Sequence, residues 1–339
     1  MGNNDRPTAK QLQELYQTAI EFKKREPWEY LYDLDLIGVE NPVDQTMGYC
    51  SVMGKGGEHY ALGVYLGDRG FAGFCRMLEE VETIPYYGML HLQDCLMCSF
   101  EDRNVLKNED RKQIKETGLS FRGRNAWPMF RRYESGYEPW FVNQAECVFL
   151  THALQQVLFV LDEFSAGKLE VDFEKGRSVA RHSRKQNGKL LWDSKELLLE
   201  VVSGEHERIV ITDDLLIRKI KKAGDRGYES LQMDTVYMPY SVQEKRGERP
   251  YYPRAFLLYD SIAGQIVDLE LYQGSDADGD IVINKLIDLC LKTGIPQTIY
   301  VRSYSMLAIV ENLCQQVGIE VIVVEKLPIF DEIVDTLSI

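Results

Sequence analysis

The sequence predicts an α+β domain followed by an α/β domain with a mixed sheet, and three observations carry that expectation. The chain has 339 residues, beyond the size at which one hydrophobic core stops growing, so two domains are expected. Its early half sets strand patterns and a glycine-rich hairpin beside long helix patterns. Its late part alternates strands and helices. The stretches GIPQTIYV and GIEVIVV follow glycine-stopped helices and are apolar on both faces, as covered parallel strands are. The boundaries read as an N-terminal domain over 1–165, a strand-containing middle segment over 166–245, and a C-terminal domain over 246–339.

The elements follow in order. Thr8 is placed to cap a helix reaching about Lys24, with Leu12, Leu15, Tyr16 and Ala19 at helical spacing. Residues 46–53 and 60–67 form a hairpin around GKGGEH, whose glycines supply positive φ angles. A helix over 71–82, a strand within GMLHLQDCLMCSF and a polar helix over 101–120 come next. Asn143 and Glu146 make a capping box at the start of a helix over 143–164, apolar on more than one face and so a core helix. The middle segment offers strands at 189–194, 196–202 and 208–213, a Lys-rich helix over 213–222, the strand TVYMPYSVQ, and KRGERPYYP as a hinge. The last domain reads as strands at 254–259 and 265–272, a helix over 280–292 and a strand at 298–303. A helix over 304–317, a strand at 320–326 and a final helix from Pro328 complete it.

Composition narrows the function classes. With 45% hydrophobic and 27% charged residues this is a folded protein, and no window of 18 uninterrupted apolar residues suggests a membrane span. The N-terminus lacks the apolar core of a secretory signal, so a cytoplasmic protein is expected. A net charge of −14 disfavours general nucleic-acid binding. The stretch over 175–189, KGRSVARHSRKQNGK, is the one place where a phosphate backbone could be met, but it lacks interleaved aromatics and reads first as a solvated hairpin or linker. Seven scattered cysteines fit a reducing compartment. Cys95 and Cys98 form the only CxxC, yet strand alternation puts them on opposite faces, so buried structural thiols are expected.

Three features could carry chemistry. Asp276, Asp278 and Asp280 in GSDADGDIVIN alternate as in a calcium loop. Counted from Asp276, however, position 6 is Ile281 and position 12 is Ile287 where glycine and glutamate are required. The expected role of the run is therefore a helix start capped by Asp278 or Asp280. The run WPMFRRYESGYEPWFV places Trp127, Arg131, Arg132, Tyr137 and Trp140 where they could stack a planar ligand, the alternative being a loop pinned by aromatic packing. His59, His91, His152, His182 and His206 are too dispersed to argue a nucleophile–base pair, and His152 reads as a core histidine. No P-loop, dinucleotide fingerprint or HExxH is present.

The stretches YDSIAGQIVDLELYQ, IVINKLIDLCLKTGIPQTIYVRS and LCQQVGIEVIVVE resemble the ribonuclease H-like core of transposases and integrases. The whole chain also resembles uncharacterised bacterial two-domain proteins, through YCSVMGKGGEHYALGVYLGDRGF, WPMFRRYESGYEPW and GIEVIVVEKLPIFDEIVDTL. The first resemblance implies two-metal chemistry from carboxylates inside the first strand, at the end of the strand after G-x-P, and on a later helix. Taking RAFLLY as the first strand, no acid lies inside it; TIYVRS offers Arg302, a cation that would repel a metal. The expected function is thus a non-catalytic binding or regulatory protein with a protein or small-molecule partner, a degenerate ribonuclease H-like domain and no cofactor. The alternative is a metal-dependent nuclease or hydrolase holding Mg²⁺ or Mn²⁺ with Asp260, Asp268 and Glu311, or with Asp276, Asp278 and Asp280.

Overall fold

The computed structural model describes residues 5–79, 86–169, 171–199, 208–223 and 227–336. His206, the end of the expected helix over 71–82 and the end of the expected strand over 196–202 lie outside them. The chain divides into two units, one of residues 1–135 and 139–203, the other of residues 136–138 and 204–339.

The first unit is built on a seven-stranded sheet. Helix α1 (Ala9–Arg25) starts at a capping box in which Thr8 and Gln11 satisfy each other's backbone groups. Strands β1 (Ile37–Glu40), β2 (Met47–Met53) and β3 (Ala61–Leu66) lead into helix α2 (Gly67–Glu79). After the short α3 (Tyr86–Leu90) come β4 (Cys95–Glu101), α4 (Asn108–Glu116), β5 (Trp127–Tyr133) and α5 (Gln144–Ser165). The hairpin β6 (Arg177–Gln186) and β7 (Lys189–Leu198) completes the order β5-β4-β3-β2-β1-β6-β7, antiparallel except where β1 meets β6.

Alternation splits the sheet between two cores. Leu62, Val64, Leu96 and Cys98 join α1 and α5, while Ala61, Tyr65, Cys95 and Met97 join Phe71 and Phe74 of α2. The two cysteines of the CxxC thus enter different cores, and burial pushes the Cys95 thiol up to about 12. Helix α2 lies close because Gly70 and Gly73 carry no Cβ; one on Gly73 would stand 2.1 Å from the Leu92 carbonyl oxygen. Helix α5 begins at the expected Asn143–Glu146 box. It is apolar and long enough to cross a membrane, but 61% of its most apolar window is buried within the fold, as befits a core helix.

The second unit carries a five-stranded sheet. Helix α6 (Asp214–Ala223) precedes β8 (Ser230–Tyr237), β9 (Arg254–Asp260) and β10 (Gln265–Tyr272). Then come α7 (Asp278–Thr293), β11 (Thr298–Val301), α8 (Tyr304–Val317), β12 (Glu320–Val323) and α9 (Pro328–Thr336). The strand order is β10-β9-β8-β11-β12: β9 runs antiparallel to both neighbours, whereas β11 is parallel to β8 and β12. Helices α6, α7 and α8 bury one face around Phe256, Leu286 and Leu313, and α9 covers part of the other with Leu327, Phe330 and Val334.

Both sheets are mixed, and the expected middle segment is not a unit of its own. Its hairpin β6–β7 extends the first sheet, and β8 is the central strand of the second. The C-terminal unit therefore starts well before residue 246. Among the described residues, the strands expected at 189–194 and from 196 onward form one strand, β7, and the stretch 208–213 pairs with no strand. Its backbone is satisfied by helix α8 instead: Ile211 N–H donates to Asn312 and its carbonyl accepts from Gln316. The expected hinge KRGERPYYP is a bend inside the second unit, where Tyr251 pairs with Val242 and with Tyr137.

Candidate functional site

In an open sheet containing parallel strands, the place where neighbouring strands send their connections in opposite directions leaves a crevice beyond their carboxyl ends. Here that place lies between β8, which continues to β9 on one side, and β11, which continues to β12 on the other. Arg302 directly follows β11, and the Ser303 hydroxyl caps α8 by accepting from Met306 N–H at 3.1 Å. Tyr304 beside it is exposed.

The central strand reads SLQMDTVY, and its alternation sends Asp234 and Thr235 to opposite faces. On the α9 face Asp234 is buried, and its Oδ2 accepts from Arg302 Nε at 2.8 Å and Nη2 at 2.7 Å. Its Oδ1 accepts from Thr235 N–H at 2.8 Å. Arg302 Nη1 reaches on to Asp331 of α9 at 2.5 Å, so one guanidinium bridges two carboxylates. Burial raises the Asp234 pKa above the ordinary range, opposed by Arg302, the Thr235 N–H and Arg254.

On the helix face the centre is Asp278. Arg254 Nη2 donates to its Oδ2 at 2.6 Å and Nε to its Oδ1 at 3.0 Å. Tyr272 donates to Oδ1 at 2.5 Å, and Thr235 donates to Oδ2 at 3.0 Å while accepting from Arg254 at 2.8 Å. The Arg254 guanidinium also stands 4.6 Å from the Tyr237 ring centre. Burial works against the Arg254 charge, but the Asp278 carboxylate outweighs it and the pKa is raised. One carboxylate thus fastens β8, β9 and β10 to the start of α7.

That answer corrects the role expected for the aspartate run. The N-cap position of α7 is Ala277, without a side-chain cap, and Asp278 turns to the sheet instead. Of the other nominated carboxylates, Asp260, Asp268 and Glu311 stand apart, each with its own partner. Asp260, at the end of β9 away from Arg254, accepts from Ile262 and Ala263 N–H at 2.8 and 3.0 Å. Asp268 shares Lys285 with Glu270, and Glu311 faces Arg208 at 3.8 Å. Among the described residues, no three His, Cys, Asp or Glu side chains are grouped to hold a metal ion.

The aromatic run does not converge on one ligand surface. Arg131 is buried against Asp110, its two terminal nitrogens donating at 2.7 and 2.6 Å. Arg132 pairs with Asp94 at 2.5 Å and Glu146 at 3.4 Å. Tyr137 clusters with the second unit, where it accepts from Gln273. The half-buried rings carry the protein's own cations: Arg103 lies 5.9 Å from Trp127, Lys107 5.4 Å from Trp140 and Arg249 5.0 Å from Tyr137. The basic stretch is likewise met by acids brought alongside in space, Arg177 by Glu196, Arg184 by Asp193 and Lys175 by Asp172. His152 packs on Trp192, and burial lowers its pKa.

Residues 13–181 match the family model of a domain of unknown function, DUF7309, and residues 216–338 match that of another, DUF6930. The chain pairs two domains of unknown function. No curated protein matches it. The match to DUF6930 takes in β8, Arg254, Asp278, Arg302 and Asp331, so the whole ion-pair system lies inside that domain. Sequence reading picks out Arg302 and Asp278 but passes over Asp234, Arg254 and Asp331. The available signal is an aspartate within the apolar alternation of LQMDTVY, which a surface strand would not hold on its buried face.

Proposed function

We propose that the chain is a cytoplasmic, non-catalytic binding or regulatory protein whose DUF6930 domain is a degenerate ribonuclease H-like module. The strand order supports the reading: three antiparallel strands come first, and two parallel ones are added on the far side of the first strand. With β8 as that first strand, an acid does lie inside it, Asp234, and another lies on the last helix, Asp331. The observation that carries the reading is Arg302, whose guanidinium bridges both carboxylates from the end of β11. A carboxylate there would complete a metal site, whereas a fixed cation supplies the positive charge itself and repels a divalent ion. These residues do not fit Mg²⁺ or Mn²⁺. The cytoplasmic location is supported by seven free cysteines, six of them buried and Cys75 half-buried. A protein or small-molecule partner is favoured over nucleic acid because acids from β7 and its surroundings pair the basic stretch.

Thermal unfolding with and without millimolar Mg²⁺ or Mn²⁺ tests the reading. No shift in midpoint is expected, and no cleavage of labelled DNA or RNA. Stabilisation by several degrees, or metal-dependent cleavage that Asp234→Asn abolishes, would restore the enzyme.

A further inference from the structure

The DUF7309 domain holds a buried arginine of another kind. Arg181 on β6 is 5% exposed. Its Nε donates to Gln156 Oε1 at 2.9 Å, Nη1 to Ser194 Oγ at 2.6 Å, and Nη2 points to the Trp192 carbonyl at 3.5 Å. Its guanidinium lies 4.1 Å from the Phe159 ring centre. Asp193 and Glu163 act on it through space, but their ion pairs are with Arg184 and Lys168. Among the described residues, no carboxylate comes within the 4.0 Å of an ion pair with Arg181. Burial accordingly depresses its pKa. A buried cation without a counter-charge is costly and needs a reason.

The reason lies one residue away. Ser194 accepts from Arg181, which leaves its own hydroxyl hydrogen to donate elsewhere, and Ser194 lines an open groove of about 740 Å³. The groove lies beside the last turn of α5 and the β6–β7 hairpin, and its size falls within that of ligand pockets, about 300–1,000 Å³. Phe164, Leu169, Val171 and Val179 give it an apolar wall. Among the described residues, the carboxylates on its rim are Asp172 and Glu196, paired with Lys175 and Arg177. Ser178 and Lys195 also line the groove, and Ser194 sets a polarised hydroxyl donor at one side with the uncompensated Arg181 guanidinium behind it.

We propose that this groove binds an amphipathic carboxylate, of the chemistry of a medium-chain fatty acid. Its head group accepts from the Ser194 hydroxyl in the field of Arg181, and its chain lies on the apolar wall. The site is independent of the ribonuclease H-like reading of the other domain.

Calorimetric titration of the full chain with sodium octanoate, and with uncharged octanol as control, tests the site. Octanoate is expected to bind at least tenfold more tightly than octanol, the size of a hydrogen bond to a charged group. Ser194→Ala should weaken octanoate about tenfold, and Phe164→Asp should abolish it. Both positions are exposed, so the fold is expected to survive, checked by unchanged circular dichroism. No octanoate binding, equal affinity for octanoate and octanol, or unchanged affinity in both variants overturns the proposal.

Discussion

Two regions of the molecule bury opposite charges together, and they do so to different ends. In the DUF7309 domain, Asp110 at the start of α4 and Arg131 on the edge strand β5 meet as a closed pair, 2% and 4% exposed. It fastens a surface helix to the rim of the sheet. In the DUF6930 domain the charges lie on the central strand at the switch point, where the fold leaves a crevice. There Asp234 and Asp278 draw Arg302 and Arg254 from the strands on either side of β8. The first arrangement is a rivet. The second fills the switch point with charges that satisfy one another.

The comparison breaks most visibly at the rivet. Asp110→Ala leaves a guanidinium buried without a partner and should destabilise the protein by about 3–5 kcal/mol in denaturant titrations. Adding Arg131→Met should restore much of that loss, since a buried pair is often replaceable by apolar packing. If the single and double variants lose equally, the pair has a value beyond charge compensation.

At the switch point the same experiment should give a smaller effect that depends on pH. Arg302→Ala removes two bonds from Asp234 and is expected to cost about 1.5–3 kcal/mol at neutral pH. Asp234 already has a folded pKa raised above its ordinary 3.8, burial being the main cause. Between 3.8 and the folded value, the native protein holds a proton that the unfolded chain has lost, so this group's contribution falls as pH rises. Loss of Arg302 raises that pKa further. The cost of Arg302→Ala should therefore shrink as pH is lowered toward 4, and a cost that grows on acidification would contradict this account.

Much of this architecture can be read from the sequence, and the boundary of legibility has a physical cause. Local signals hold. The Thr8 and Asn143 boxes start α1 and α5, and Gly294 and Gly318 end α7 and α8 by donating to Cys290 and Cys314 carbonyls. The hairpin β9–β10 and the apolar strands β11 and β12 are likewise legible. What fails is pairing at a distance. Asp234 and Arg302 are 68 residues apart, and nothing local to LQMDTVY says that it rather than RAFLLY is central. The basic run on β6 looks unopposed for the same reason, because Asp193 and Glu196 belong to the returning strand. Arg302 alone was legible as the residue that departs from the metal-binding pattern.

Within the Asp278 system the expected effect is smaller again. Tyr272→Phe removes one donor from a carboxylate that keeps Arg254 and Thr235, and should cost about 1 kcal/mol. A loss as large as that of Arg302→Ala would mean that the phenol, not the arginine, holds α7 to the sheet.

The mildest test uses a carboxylate whose balance has the opposite sign. Glu40 ends β1, and its Oε1 accepts from Ser183 N–H and Oγ, both at 3.0 Å, which extends the parallel contact with β6 beyond the strand. Its Oε2 lies 2.9 Å from His182 Nδ1. Burial alone would raise the Glu40 pKa, but the bonds from His182 and Ser183 together outweigh it and hold the pKa below the ordinary 4.5. Here the unfolded chain takes up a proton first as pH falls. The stability Glu40 contributes is full above 4.5 and is lost as pH drops through the lower folded value. Glu40→Gln should cost about 1 kcal/mol near pH 7 and progressively less below pH 4.5, since the wild-type carboxylate is then losing its advantage. Lowering pH thus removes the benefit of Glu40 while relieving the cost of Asp234. Relative to wild type, the cost of Asp234→Asn should therefore grow as pH falls while that of Glu40→Gln shrinks; if both drift the same way, the distinction between a carboxylate held by donors and one stranded by burial does not hold.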